Sequence, residues 1–191
     1  MNCQQIAEKA VNEWFAYQDA LELEFGLRVV QNFRPKIIVE LGIAHGASLA
    51  AWCEAAHPEV AIGIDPLDLQ KTSIQKQSLE QLIDTYHINI VKGTTRSPQA
   101  QERMQFYLKD RPIDFLFIDA EHKYDDVRHD FYEYKKYLSP HALVGFHDIY
   151  YSEQSFDGGQ QVYALWERLK KQYKHDEIHH HSSMGMGFIY L

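Results

Sequence analysis

Two short segments of the sequence combine carboxylates with imidazoles. The first is Asp119-Ala120-Glu121-His122 and the second is His147-Asp148, and each directly follows an apolar run, at 113–118 and 142–146. Such side chains can hold a divalent metal ion or move a proton near neutral pH. A single acid at a strand end can also be a solvated cap. Charged groups at the edge of an apolar core are costly unless paired or bound to a metal, so two such segments together predict a site.

A glycine-containing segment follows an earlier apolar run, at 36–41. It runs Glu40-Leu41-Gly42-Ile43-Ala44-His45-Gly46-Ala47-Ser48, and its glycines permit a tight turn and close approach of a ligand to the backbone. Asp65 follows at a distance that suits hydrogen bonds from ribose hydroxyls. The loop is either a nucleotide-type cofactor loop or an ordinary strand-to-helix turn, because Ala44 departs from the G-x-G-x-x-G pattern.

The elements that must position these residues alternate between strand and helix patterns. Strands are predicted at 36–41, 60–64, 88–91, 113–118, 142–146, 176–181 and 187–191. Helices are predicted at 47–56, 73–86, 98–109, 124–138 and, opened by Gly158-Gly159, at 160–173, with one or two more before residue 35. This alternation predicts a parallel sheet with right-handed crossovers, and the short last turn predicts a closing antiparallel pair.

Length and composition narrow the class of protein. The chain has 191 residues, which predicts one domain over 1–191, with N-terminal helices in 1–34 and an α/β core in 35–191. Its 27 acidic against 19 basic residues argue against a nucleic-acid partner. No apolar run approaches the roughly 18 residues of a membrane span, and the start lacks the layout of a signal peptide. We therefore expect a cytoplasmic protein with neither nucleic-acid nor membrane partner.

Taken together, the motifs resemble class I S-adenosylmethionine-dependent methyltransferases. The resemblance is carried by Glu40-x-Gly42-x-x-x-Gly46-x-Ser48, by Asp65, by Phe117-Ile118-Asp119-Ala120 and by the final hairpin with Gly187. The segments 117–124 and 143–149, with Gly158-Gly159, are most similar to metal-dependent small-molecule O-methyltransferases and the cephalosporin-hydroxylase-like branch. The resemblance implies an α/β fold: a Rossmann-like, doubly wound, seven-stranded sheet of order 3-2-1-4-5-7-6. Strand 7 would be antiparallel, with helices on both faces and an N-terminal helical extension.

The resemblance also implies roles for individual residues. The S-adenosylmethionine site would comprise Glu40, Gly42, Ala44, His45, Gly46, Ser48, Asp65, Pro66, Gly93, Thr94, Asp119 and Ala120. A divalent ion, Mg²⁺ or another, would be held by Asp119, His147 and Asp148, and the imidazole would shift preference toward softer ions. His122 stands where relatives carry a lysine base, so His122 and Asp119 are the expected catalytic residues.

The expected function is methyl transfer to a hydroxyl of a small molecule. One alternative is a non-catalytic cofactor-binding or scaffold protein, since fold alone does not imply function. Another is an NAD-dependent oxidoreductase, which the loop sequence disfavours. Tyr150, Tyr151 and Phe156 are expected to wall the acceptor pocket. The N-terminal helices would either cover that pocket or mediate a homodimer.

Overall fold

The computed structural model describes residues 1–68, 72–150, 161–180 and 184–191. The helices are α1 Cys3–Asn12, α2 Ala20–Phe33, α3 Ala47–Ala56, α4 Ser73–Tyr86, α5 Pro98–Leu108, α6 Tyr124–Tyr134 and α7 Val162–Leu169, with a 3₁₀ turn at Lys135–Tyr137. The strands are β1 Ile37–Leu41, β2 Val60–Asp65, β3 Asn89–Lys92, β4 Ile113–Ile118, β5 Leu138–His147, β6 Lys174–Ile178 and β7 Met186–Tyr190.

The strands form one seven-stranded sheet in the order β3-β2-β1-β4-β5-β7-β6. The first five strands are parallel, whereas β7 runs antiparallel to both β5 and β6. Side chains alternate between the two faces along each strand. Accordingly Phe115 and Phe117 join a core with α1 to α4, whereas Leu116 and Ile118 join a second core with α5 to α7. The fold expected from the resemblance is confirmed.

Some predicted boundaries are wrong, most clearly between α6 and β5. The helix predicted at 124–138 ends at Tyr134, and the strand predicted at 142–146 begins at Leu138. Leu138 already pairs with Ile113, and an irregularity in register follows before Leu143 pairs with Phe115. The residues Gly158-Gly159, predicted to open the last helix, lie outside the described part of the chain.

The N-terminal extension packs closely on the sheet. Asp19 caps α2 by accepting a hydrogen bond from the Leu21 amide at 2.9 Å. A Cβ at Gly26 would lie 2.7 Å from Met186 Sδ and 2.9 Å from the Trp52 ring, so only glycine allows this approach of α2 to β7. The first turn of α2 therefore lies at the edge of the sheet where β5 ends.

The described helices include none that is both long enough and apolar enough to span a bilayer.

Candidate active site

A cavity of about 590 Å³ opens at the carboxyl ends of the parallel strands. Its volume lies in the range typical of small-molecule sites, and this edge is where ligands bind in doubly wound sheets. Most of the residues expected to bind or react lie on its wall: Gly42, Ala44, His45, Ser48, Asp65, Pro66, Thr94, Asp119, Ala120, His122, His147 and Asp148. Three expected site residues do not line the cavity: Glu40, Gly46 and Gly93. They would act through the residues that do line it.

The loop after β1 depends on its glycines for close approach. Gly42 has a φ of +79°, and a Cβ there would lie 2.3 Å from the Asp119 carbonyl oxygen. Gly46, with a φ of +78°, caps α3. Only glycine adopts such conformations without strain, so the ends of β1 and β4 meet at a point that no side chain can occupy.

Asp65 holds this loop in place. One of its carboxylate oxygens accepts hydrogen bonds from the amides of Ile43 at 2.9 Å and Ala44 at 3.0 Å. The other accepts from the Leu67 amide at 2.6 Å. A carboxylate has about four acceptor positions, so Asp65 has capacity left for about one further donor.

Glu40 lies fully buried behind the loop. It accepts hydrogen bonds from the Ser48 hydroxyl and, at 2.9 Å, from Trp52 Nε1. Burial raises the pKa of Glu40 well above its usual range, despite these donors. The sequence motif contains the acid, but its partners show that Glu40 orients Ser48, which does line the cavity.

Asp130 and Tyr134, which the sequence analysis did not include in the site, fix the loop after β3 through hydrogen bonds with Thr95. The Thr95 hydroxyl donates to Asp130 Oδ1 at 2.7 Å, and the Thr95 carbonyl accepts from the Tyr134 hydroxyl at 2.9 Å. Asp130 Oδ2 is buried without a hydrogen-bond partner among the described residues. Burial therefore raises the pKa of Asp130 to about 6.

The acids and imidazoles after β4 and β5 come together at the far end of the cavity. His122 Nε2 lies 2.9 Å from Asp148 Oδ2 and 3.7 Å from Asp119 Oδ1. His147 Nδ1 lies 3.4 Å from Asp119 Oδ1 and 3.2 Å from Asp148 Oδ1. Asp148 has a left-handed φ of +59°, an unusual conformation for a non-glycine residue. The backbone is thus bent where it aims this carboxylate into the cluster.

Mutual pairing controls the charges of this cluster. The carboxylates of Asp119 and Asp148 beside the ring raise the pKa of His122 to about 10. Burial alone lowers the pKa of His147, but the charge of Asp119 and its other acidic neighbours outweigh burial and raise it well above its usual value. Burial alone raises the pKa of Asp119, but His147 and His122 outweigh it, and the net pKa is well below the usual range. The two carboxylates therefore favour the doubly protonated form of both imidazoles, and a divalent cation between these carboxylates would disfavour it.

The donor set fits a divalent ion. Asp119, His122 and Asp148 each offer one ligand atom, and these atoms lie within 4.8 Å of one another. His147, the expected nitrogen ligand, is not in this group, but its Nδ1 faces the same two carboxylates. Gln18 lies against the same cluster: its Nε2 donates to Asp119 Oδ2 at 2.7 Å, and its Oε1 is buried without a hydrogen-bond partner in the described ranges. Carboxylate, amide oxygen and imidazole together suit ions from Mg²⁺ and Mn²⁺ to softer metals.

The other end of the cavity fits a polar ligand. Both ring nitrogens of His45 are buried, and neither has a hydrogen-bond partner within the described segments. The rings of Phe15 and Tyr17 pack against this imidazole, with centroid distances of 6.0 and 5.2 Å. Unpaired buried polar atoms cost free energy, so His45 is placed to pair with a ligand held by the loop after β1.

The N-terminal extension contributes residues that sequence reasoning missed. Phe15, Tyr17 and Gln18 line the cavity. Glu22 Oε2 lies 3.6 Å from His147 Nε2. No spacing motif connects this segment to the strand ends. Of the expected acceptor-pocket residues, Tyr151 and Phe156 lie outside the described residues. Tyr150 does not line the cavity and stacks on His179.

Comparisons with known proteins identify the family of this chain. Residues 39–149 match a family described as a methyltransferase domain. An uncharacterized Sinorhizobium fredii protein is 27% identical over 150 residues, which cover 76% of this chain and 16% of that protein. An uncharacterized Acanthamoeba polyphaga mimivirus protein is 30% identical over 115 residues, covering 58% of this chain and 50% of the relative. The chain thus spans between a sixth and a half of the length of these curated relatives.

Solved structures share the fold. The O-methyltransferase TomG from Streptomyces achromogenes, involved in tomaymycin synthesis and in complex with S-adenosylmethionine, aligns with a TM-score of 0.65 at 16% identity, covering 100% of this chain and 90% of TomG. The O-methyltransferase from Bacillus cereus, in complex with S-adenosylhomocysteine, aligns with a TM-score of 0.62 at 12% identity, with coverage of 100% and 90%. The chain therefore belongs to the methyltransferase domain family and has the fold of class I S-adenosylmethionine-dependent methyltransferases.

Proposed function

We propose that the protein uses S-adenosylmethionine to methylate a hydroxyl group of a small molecule, assisted by a divalent ion. The observation that carries this proposal is one cavity with two different ends. The loop around Gly42 and Asp65 forms one end, and the cluster of Asp119, His122 and Asp148 forms the other. A cofactor at the first end would face an acceptor at the second.

S-adenosylmethionine would supply a methyl group on a positively charged sulfur, ready for in-line displacement. The loop residues Gly42, Ala44, His45 and Ser48 would hold its amino-acid end, with Glu40 and Gly46 supporting them from behind. Asp65 has acceptor capacity for a ribose hydroxyl, beside Pro66. Gly93 and Thr94 would border the base, and Asp119 and Ala120 would close the site from β4. Because displacement needs alignment more than covalent catalysis, these contacts would mainly orient the reacting groups.

A divalent ion would lower the pKa of the acceptor hydroxyl. Asp119 and Asp148 would hold it, with the enclosed His147 rather than the more exposed His122 as the nitrogen ligand. His122 would then act as the base, because its raised pKa arises from the two carboxylates whose charge the ion would neutralise. Its side chain is 37% exposed, so an acceptor in the cavity can reach the ring.

Ligand binding tests the cofactor assignment. We expect S-adenosylmethionine and S-adenosylhomocysteine to raise the melting temperature of the wild type and to do so much less in Asp65→Ala. At one hundred times the dissociation constant, stabilisation should be about 2.7 kcal/mol, or roughly 5–10 °C for a chain of this size. Asp84→Ala, exposed on α4, is the matched control. Absence of any shift in the wild type would overturn the proposal.

The same assay separates the alternatives. NAD in place of S-adenosylmethionine should leave the melting temperature unchanged, and a selective shift with NAD would favour the oxidoreductase. A scaffold that binds the cofactor would show the shift, but replacing Asp119, His122 and Asp148 together would leave every measured methyl-transfer rate unchanged. Methyl transfer that disappears in this triple variant, with the fold retained, would favour the enzyme.

A further inference from the structure

A fully buried carboxylate on the N-terminal extension lies behind the acid–imidazole cluster. Glu22 is in the first turn of α2 and has no exposed surface. Its Oε1 accepts a hydrogen bond from the Gly185 amide at 2.7 Å. Its Oε2 lies 3.6 Å from His147 Nε2. Glu22 therefore contacts both the start of the last hairpin strand and the back of one imidazole of the cluster.

The imidazole of His147 connects Glu22 to the two acids of the proposed ion site. Its Nε2 faces Glu22, and its Nδ1 faces Asp119 at 3.4 Å and Asp148 at 3.2 Å. The ring is 11% exposed and so is enclosed on both edges. A histidine at a metal site nearly always directs its second ring nitrogen to a carboxylate, carbonyl or water, which fixes the ring's tautomer and orientation.

We propose that Glu22 is a positioning residue of the ion site, which orients His147 so that its Nδ1 and the carboxylates of Asp119 and Asp148 converge on one divalent ion. This inference rests on the proposed function, because it requires the ion. It makes the N-terminal extension a part of the reaction centre as well as of the fold.

An anchoring role alone does not require a carboxyl group at position 22. Holding α2 to the Gly185 amide needs one acceptor oxygen, which Oε1 supplies, whereas Oε2 faces His147. Gly185 itself is constrained, with a φ of +82° and only 2.9 Å between a Cβ there and Ile149 Cγ1. A glutamine at position 22 could accept the hydrogen bond of this amide equally well.

A second contact from the same extension reaches the other acid of the site. Gln18 Nε2 donates to Asp119 Oδ2 at 2.7 Å. Gln18 and Glu22 stand on either side of the cap residue Asp19, so the start of α2 fixes both contacts. One segment thus orients Asp119 directly and His147 through Glu22.

Binding of Mn²⁺ alone tests the inference. Glu22→Gln keeps the shape and the acceptor for Gly185 but replaces the carboxyl oxygen that faces His147 with an amide group. Calorimetry, together with the electron paramagnetic resonance signal of free Mn²⁺, should show affinity 10–100-fold weaker than in the wild type, as is typical for such outer residues. Glu22→Asp retains a carboxylate and should lose less. Glu24→Gln, which on the same helix removes an ion pair with Arg28, should bind Mn²⁺ like the wild type.

The outcomes separate this inference from the proposed function. If Glu22→Gln lowers the melting temperature but binds Mn²⁺ like the wild type well below that temperature, Glu22 is only an anchor and the inference is overturned. Wild-type protein that binds S-adenosylmethionine but no Mn²⁺ also overturns it, while leaving cofactor use standing. A failure to bind S-adenosylmethionine would instead contradict the cofactor proposal, whatever the Mn²⁺ result.

Discussion

Asp130 should make the stability of the protein depend on pH in an unusual direction. Burial raises the pKa of this carboxyl from 3.8 to about 6 in the folded chain. Between about pH 4 and 6 the folded state therefore retains a proton that the unfolded state has lost. The contribution of Asp130 to the free energy of unfolding thus falls as pH rises through this window, and it is lowest above about pH 6.

The size of this effect follows from the same values. A tenfold change in proton affinity is worth about 1.4 kcal/mol, so the ionised form of Asp130 costs about 3 kcal/mol at pH 8. Asp130 is 1% exposed, so water provides little screening. Asp130→Asn keeps an oxygen to accept from Thr95 and carries no charge. We expect this variant to match the wild type near pH 4 and to be about 3 kcal/mol more stable at pH 8.

Urea denaturation of both proteins at pH 4, 6 and 8 measures the difference. With a slope of roughly 2–3 kcal/mol per molar, the midpoint of Asp130→Asn should exceed that of the wild type by about 1 M or more at pH 8. The variant, used as its own reference, cancels the contributions of all other titrating groups. Parallel pH profiles for the two proteins would refute the reasoning, because they would mean that Asp130 titrates normally.

Further predictions concern the glycines and a buried thiol. Gly42→Ala should lower the free energy of unfolding, measured by urea denaturation, by about 3–5 kcal/mol, because its Cβ would collide with the Asp119 backbone. It should also lose cofactor binding, and a variant as stable as the wild type would contradict the packing argument. Gly187→Ala should lower the free energy of unfolding by about 1–3 kcal/mol, since a Cβ there would lie 2.5 Å from the Trp166 ring. The Mn²⁺ affinity of the folded variant should equal that of the wild type. Burial and the charge of Glu40 raise the pKa of Cys53, so its thiol should react with a disulfide reagent only after unfolding; rapid labelling of folded protein would contradict its burial.

Local patterns were enough to predict the sheet and one side of the cavity. The residues of β4 belong alternately to two cores. The acids and imidazoles either end a strand, as Asp65 and His147 do, or follow one directly, as Asp119 does. Because parallel strands end at the same edge of the sheet, residues at the strand ends can be predicted to line the cavity. The position of His122 could be predicted for the same reason.

Contacts distant in sequence could not be predicted from spacing. Gln18 and Asp119 are separated by 101 positions, and Glu22 meets Gly185 across 163. Neither N-terminal residue belongs to a motif, so only packing reveals their role. Glu40 is the converse case: its motif marks it as a cofactor residue, whereas in the structure it is fully buried behind the cavity wall and accepts hydrogen bonds from Ser48 and Trp52.

The glycine at position 26 has a consequence for how this chain can be altered. It lies one helical turn from Glu22 on the same face of α2. The close approach of α2 to β7 that Gly26 permits therefore also sets the distance of the Glu22 carboxyl group from the strand ends. Position 35, where the α/β pattern begins, looks like a natural place to shorten the chain. A cut there would remove Gln18 and Glu22 together, leaving Asp119 and His147 without the two N-terminal side chains that contact them.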